Sequence, residues 1–214
     1  MDAIITIDLL LRWLHVLFGL TWIGLLYYFN FVQGEYFKEA EPAAKADATA
    51  KLAPRALWWF RWAAMFTFVT GVLLLEVVRR GHGWNAYIVV GALTGTLMFL
   101  NVWLIIWPAQ KIVCGIVEGD KAAAAPRALL ASRTNTLFSS LMLLGMLGSY
   151  HGAGQASYLV TEGLRSGLLA VLALVLVIEV NGTFGKLGPL ATVRGVIHWS
   201  FALALVSLLL LQFL

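Results

Sequence analysis

The stretch LLRWLHVLFGLTWIGLLYYFNFV, residues 10–32, decides the fold class of this chain. It is apolar over more than the ~20 residues that a helix needs to cross a bilayer. The rest of the chain has the same character, with 61% hydrophobic and 12% charged residues among 214 and a mean hydropathy of +0.85. Soluble domains are far more polar. We therefore predict an all-α, polytopic integral membrane helix bundle, with residues 1–214 as a single transmembrane domain.

Six apolar runs separated by polar breaks predict about six transmembrane helices. Their expected bounds are 5–32, 57–78, 86–107, 134–152, 164–184 and 192–213. The fourth run is the least sharply bounded, because Gly145, Gly148 and Gly152 disfavour helix at its end. No basic segment precedes the first run and no small-residue cleavage site follows it, so we expect this helix to be retained in the mature protein.

The basic residues predict the orientation of the bundle. Loops one, three and five carry most of them: Lys38, Lys45, Lys51, Arg55, Lys111, Lys121, Arg127, Arg133, Lys186 and Arg194. The other side carries Arg12, Arg79, Arg80 and Arg165. The positive-inside rule then places the three loops in the cytoplasm and both termini outside. The pI of 9.4 reflects the same basic excess. Because basic residues orient a membrane protein and contact its lipid, this pI does not indicate a nucleic-acid partner.

Several classes of site are excluded by their missing residues. Cys114 is the only cysteine, which excludes an intrachain disulfide, a CxxC metal site and a CxxCH site for covalent haem. The chain has no Walker loop, no GxGxxG opening a helix, no HExxH and no GxSxG. Hydrolytic and nucleotide-binding functions therefore lack the residues to perform them.

Two histidines lie inside predicted spans, where a polar side chain is costly unless it faces the bundle interior. His15 shares a helix face with Gly19, Trp22 and Leu26, and Gly19 leaves room beside the ring for a flat cofactor. His198 lies in GVIHWSFALAL with a glycine one turn below it, which repeats the arrangement. Histidines on facing helices are a common way for a bundle to hold haem.

We therefore predict haem b with His15 and His198 as the metal ligands. A hydrogen bond between helices is the alternative role for both rings. His151, in SYHGAG at the outer end of the fourth span, is a third cofactor-binding candidate because a glycine-flanked ring at the rim can line a pocket. His82, in the turn RRGHGW, is interpreted as a plain loop residue.

Three further polar residues are candidates for a catalytic role. Glu179, late in the fifth span, could orient an imidazole or carry protons, or it could be an interfacial side chain that reaches the cytoplasm. Arg61, in WWFRWAAMF, either extends to the membrane surface or pairs with a propionate or another anion. Asn135 belongs to a polar group in SRTNTLFSS, and Asn101 lies in the third span; such residues often hydrogen-bond between helices.

Four stretches of the chain resemble a known family. They are RWLHVLFGLTWIGLLYYFNFV (12–32), WWFRWAAMFTFVTGVLLL (58–75), SRTNTLFSSLMLLGMLGSYH (132–151) and NGTFGKLGPLATVRGVIH (181–198). Together they resemble the N-terminal membrane domain of the PuuD-type urate hydroxylases, the urate oxidase N-terminal family. The combination of SRTNT, NGTxG and GVIH is the most specific part. The first stretch alone is also similar to one helix of the HemJ-type protoporphyrinogen oxidases, which are associated with haem b.

The resemblance implies a membrane-bound oxidoreductase of the respiratory chain in a bacterial inner (plasma) membrane. The family's recurring polar positions correspond to His15, Arg61, Asn135, His151 and His198. The fuller family pattern ends in a cytochrome c domain, whereas these 214 residues contain no CxxCH motif. The resemblance therefore implies a cytochrome c-type or respiratory-complex partner, either separate or fused, which would dock on the outer side.

Three functions of different classes follow. The first is a haem b-binding oxidoreductase or electron-transfer subunit that passes electrons from a small substrate or quinol to a periplasmic cytochrome. The second is a cofactor-free structural subunit of a larger respiratory complex, and the third is a channel or permease. The third has the least in its favour, because no span is broken by proline at its centre. Whether the chain forms a homo-oligomer is left open.

Overall fold

The structure is a computed structural model that describes residues 2–214, without the side chains of residues 2–5, Gln155 and Glu162. Nearly all of the backbone within those bounds is helical, and it contains no β-strand. The α-helices are α1 (Asp2–Tyr27), α2 (Gly34–Glu39), α3 (Pro42–Asp47), α4 (Ala53–Gly81), α5 (Ala86–Leu100), α6 (Trp107–Val113), α7 (Lys121–His151), α8 (Ser166–Phe184) and α9 (Val193–Phe213). The predicted all-α class is confirmed.

Turns of π-helix join several of these helices without a break. They cover Tyr28–Gln33, Ala48–Leu52 and Asn101–Ile106. Continuous helix therefore runs from α1 into α2, from α3 into α4 and from α5 into α6. The first loop is interrupted between Glu39 and Pro42, where proline begins a new helix, as the sequence indicates.

Five helical segments are long and apolar enough to cross a membrane. They are Thr6–Glu39, Pro42–Gly81, Ala86–Val113, Ser166–Phe184 and Val193–Phe213. The sixth long helix, α7, contains the expected fourth span but has a more polar composition. Arg133, Thr134 and Asn135 account for part of this polarity, and all three are buried within the protein. The low hydropathy of α7 thus reflects its place at the centre of the bundle.

The helices associate in two groups. α1 packs along α4, and α5 packs along α7. α7 also contacts α8 and α9, so that α5, α7, α8 and α9 form the larger group. Direct contact between α4 and α5, and between α1 and α7, is much less extensive. This uneven packing leaves space between the α1–α4 pair and the α5–α7 pair.

Glycines bring α5 and α7 into close contact near the C-terminal end of α7. A Cβ atom on Gly145 would lie 2.6 Å from the backbone nitrogen of Gly91, so the two backbones touch. Gly148 and Gly152 leave room for the ring of Tyr87 in the same way. The sequence predicts that these three glycines disfavour helix at the end of the fourth span; α7 instead continues through Gly145 and Gly148 and ends directly before Gly152. α7 stays helical to His151 because close packing compensates for their low helix propensity.

Polar side chains connect α7 to neighbours in both groups of helices. The Nδ2 of Asn30 donates to Ser132 Oγ at 2.8 Å and to the carbonyl of Leu26 at 2.9 Å. Tyr27 Oη and Ser139 Oγ are 2.8 Å apart. On the opposite face of α7, Ser200 of α9 donates toward the backbone of Leu137 at 2.9 Å. Such bonds hold apolar helices in one register, because lipid offers polar groups no alternative partner.

Candidate functional site

A cavity with a volume of about 310 Å³ lies in the gap between the two helix groups. Its wall is mostly apolar and comes from α1, α4, α5 and α7. The residues that matter for its chemistry are Arg12, His15, Trp22, Thr67, Gly71, Gly95, Met142, Met146 and His151. The cavity therefore contains two of the three histidines that the sequence proposed as cofactor ligands.

His15 is held on the cavity wall by the neighbouring helix. Its Nδ1 lies 3.1 Å from Thr70 Oγ1. The hydroxyl of Thr70 donates its single hydrogen to carbonyls of its own helix, Phe66 O at 2.7 Å or Thr67 O at 3.0 Å. These shorter distances favour the arrangement in which the threonine oxygen accepts and Nδ1 of His15 donates. In the neutral ring this leaves the lone pair on Nε2, which is the protonation pattern of a metal-binding histidine.

The space beside His15 comes from a glycine that the sequence analysis did not single out. A Cβ atom on Gly71 would lie 3.0 Å from His15 Cε1, so only glycine leaves the ring undisturbed. Gly19, the glycine predicted for this purpose, instead faces Thr67 at an ordinary contact distance of 3.8 Å. The predicted helix face itself is correct, since Trp22 and Leu26 are both buried. The missed signal was the run TFVTG in α4, with polar and small residues inside a span.

Two further residues give the cavity polar character. The indole N–H of Trp22 is buried and has no hydrogen-bond partner among the side chains that the structure describes. Arg12 lies on the wall one turn from His15, and its Nε donates to Asp8 at 2.8 Å. A ligand in the cavity would thus meet an unused hydrogen-bond donor and a guanidinium group whose Nε is ion-paired with Asp8.

His151 is exposed and contributes to the same wall at the end of α7. Its ring meets that of Tyr150 edge-on, with centroids 5.3 Å apart. His82 is exposed in the turn after α4, as the sequence predicts for a loop residue, and its ring also contacts Tyr150 at 6.0 Å. Of these two outer histidines, only His151 lines the cavity.

His198 lies on an exposed face of α9 and does not line the cavity. The buried residue at this level of the helix is Ser200. The structure therefore does not bring His198 to His15, and the predicted pairing of the two as iron ligands receives no geometric support.

Glu179 and Asn135 are brought together by a residue between them. The Nδ2 of Asn101 donates to Asn135 Oδ1 at 2.9 Å and to Glu179 Oε2 at 3.1 Å. Asn135 in turn donates to the carbonyl of Met98 at 2.9 Å. This cluster joins α8, α7 and the π-helical turn after α5, and none of its members lines the cavity. Glu179 has no hydrogen bond to a histidine that the structure describes.

Arg61 is placed among aromatic rings. Its guanidinium carbon lies 3.9 Å from the ring centroid of Trp107 and 6.0 Å from those of Trp62 and Trp103. Contacts of this kind stabilise a cation through the negative ring face. Arg61 is not part of the cavity wall, so the cavity geometry does not connect it with a propionate.

The comparison with protein families matches part of the chain. The model of the urate oxidase N-terminal family fits residues 80–164, which run from the end of α4 through α7. No curated protein and no solved structure matches the chain. Of the residues proposed from sequence, Asn135 and His151 fall inside the matched segment. The resemblance to the urate oxidase N-terminal family is therefore confirmed over residues 80–164, less than half of the chain.

Proposed function

We propose that the cavity holds haem b with His15 as an iron ligand, and that the protein is a membrane oxidoreductase or electron-transfer subunit. It would take electrons from a small substrate or a quinol and pass them to a periplasmic cytochrome. The observation that supports this most directly is the orientation of His15, whose Nδ1 is engaged by Thr70 on the wall of an apolar cavity. Urate is the first substrate to test, because of the family match over residues 80–164.

The residues around the cavity suit a flat macrocycle with acidic side chains. Gly71 and Gly95 remove side-chain bulk from the wall, and Met142 and Met146 supply adaptable apolar surface. Arg12 lies where it could balance a propionate. The unpaired indole N–H of Trp22 could donate to the same group. The donor set therefore fits haem.

Each residue has a distinct part in this proposal. His15 presents Nε2 as the ligand atom, and Thr70 fixes its tautomer. His151, on the same wall, is the candidate for a second residue that would hold the iron, in place of His198. A bound haem would supply one-electron redox chemistry at a potential that these ligands and the apolar wall adjust. The apolar side chains of the cavity wall would exclude water from the faces of the bound haem.

The position of the cavity agrees with outward electron transfer. If both termini are outside, as the basic residues indicate, then Arg12 and His151 lie toward the periplasmic side. A cofactor there would be near a cytochrome docked on the outer surface. The predicted catalytic residues Glu179 and Asn135 would then lie deeper, toward the cytoplasmic side. Arg61 would keep its contact with the ring of Trp107.

The test is a reduced-minus-oxidised visible spectrum of the detergent-purified protein, with a pyridine haemochrome assay for stoichiometry. We expect a b-type α band in the wild type and its loss in His15→Ala. His198→Ala is the matched control, because it removes an exposed imidazole outside the cavity. It should keep the full spectrum. His151→Ala should shift the spectrum if this ring is the second ligand.

Two results would contradict the proposal. A colourless, fully folded preparation from haem-replete cells would favour the cofactor-free structural subunit. If His198→Ala lost haem and His15→Ala retained it, the haem site would be assigned to α9 and not to the cavity. Cell fractionation tests the expected inner-membrane location separately.

A further inference from the structure

Glu179 is an acidic residue inside a membrane-spanning segment without a cationic partner. It lies in α8, within the apolar segment Ser166–Phe184. Four other carboxylates of the described residues have such partners: Asp8 with Arg12, Glu35 with Lys38, Asp47 with Lys51, and Glu76 with Arg79 and Arg80. The remaining acidic residues whose side chains the structure describes are exposed to solvent, namely Glu39, Glu41, Glu118 and Asp120. A lone charge at membrane depth is costly, so an acidic group placed there needs either a counter-ion or a proton.

The charged groups of the surrounding elements do not compensate Glu179. The helices packed against α8 carry basic residues on α7 and α9, and Lys186 follows α8 itself; those on the two helices are Lys121, Arg127, Arg133, His151, Arg194 and His198. Within the described part of the chain, none of these seven forms an ion pair with Glu179 at 4.0 Å or less. The groups that do contact its carboxyl are neutral, namely Asn101 and Thr183.

The carboxyl of Glu179 is partly buried and is fixed by a buried neighbour. Asn101, which donates to Glu179 Oε2, is only 2% exposed and is itself fixed by Asn135. The carboxyl therefore extends sideways toward the π-helical turn rather than along α8 to the membrane surface. This geometry disfavours the interfacial role that the sequence left open for Glu179.

The second carboxyl oxygen can exist with or without a proton in the same geometry. Thr183 Oγ1 lies 3.5 Å from Glu179 Oε1 and 3.1 Å from the backbone carbonyl of Glu179. Its one hydrogen can go to only one of these acceptors. When Oε1 is ionised, the threonine can donate to it. When Oε1 carries a proton, the threonine donates to the carbonyl and accepts from the carboxylic acid.

We propose that Glu179, with Asn101 and Thr183 as its two neutral partners, is a proton-binding site in the half of the bundle near the α8–α9 connection. Asn135 is a positioning residue, since it acts through Asn101. The site is separate from the cavity: Asn135 precedes the cavity residue Met142 by two helical turns, or about 10 Å along α7. The inference therefore holds or fails independently of haem binding.

The test uses dicyclohexylcarbodiimide, an apolar reagent that adds to protonated carboxyl groups. The intact protein in detergent is treated over a range of pH, and the labelled residue is located by peptide mass mapping. We expect stoichiometric labelling at Glu179, with a rate that falls about tenfold per pH unit above the pH at which the group titrates. Glu76 is the internal control, because it is ion-paired to two arginines and should remain unlabelled.

Parallel reactions in sodium and choline chloride identify the ion. Equal rates in both salts support a proton site, whereas protection by sodium would overturn it in favour of a metal cation. Absence of label at Glu179 in the folded protein, or a rate independent of pH, would also overturn the proposal. Glu179→Gln should lose the label and keep any b-type spectrum. If this variant fails to fold, the location and pH dependence of the label in the wild type still test the proposed proton site.

Discussion

Thr70→Val is the most direct test of how the protein orients His15. Valine has nearly the same shape as threonine and removes only the hydroxyl that accepts from Nδ1 at 3.1 Å. A buried N–H left without an acceptor costs about 1–3 kcal/mol. The backbone carbonyl of Thr67 is a second acceptor near this ring, so we expect about 1–2 kcal/mol. That range corresponds to about 5- to 30-fold weaker haem binding.

The assay is titration of haem into the apoprotein, monitored by the Soret band, with thermal stability measured on each variant. Thr70→Ser keeps the hydroxyl and should restore most of the affinity. Thr67→Val is the matched control, because Thr67 also lines the cavity but its hydroxyl donates to Ala63 O at 2.7 Å. Equal affinities for Thr70→Val and the wild type would refute the argument that Thr70 selects the tautomer of His15.

Two further predictions concern packing and thiol chemistry. Gly145→Ala should destabilise the protein by about 1–3 kcal/mol, because the new Cβ would overlap the backbone of Gly91. Gly24→Ala is the control, since open space surrounds Gly24 and the variant should keep the stability of the wild type. Thermal unfolding of both variants measures the difference. Cys114, just beyond the third span, should react slowly with iodoacetamide near pH 8, because burial raises the pKa of its thiol despite the nearby charge of Lys121. Its alkylation rate should still be rising above pH 9, and a rate that levels off below pH 8 would contradict this.

The sequence predicted the helical class and the inward face of α1 because both depend on local pattern. Apolar runs of sufficient length indicate spans, and a spacing of three and four residues places His15, Trp22 and Leu26 on one face. Neither inference depends on which helices pack against each other.

The partners of His15 could not be predicted in the same way. His15 and His198 have similar local sequences, but the rotation of α9 turns His198 outward, and rotation about a helix axis is decided by packing with several neighbours. Thr70 and Gly71 became relevant only because α4 packs along α1 at that level. Likewise, the link between Glu179 and Asn135 depends on Asn101, which contacts both from a third element.

The division of the bundle into an α1–α4 pair and an α5–α7 pair has a consequence for synthesis of the protein. His15 and Gly71 belong to the first pair, while Gly95 and Met146 belong to the second. As the chain leaves the ribosome, the first pair can enter the membrane and assemble while the opposite wall of the cavity is still untranslated. The cavity is complete only after α7 has been inserted, so a ligand that needs both walls must be acquired late in biogenesis.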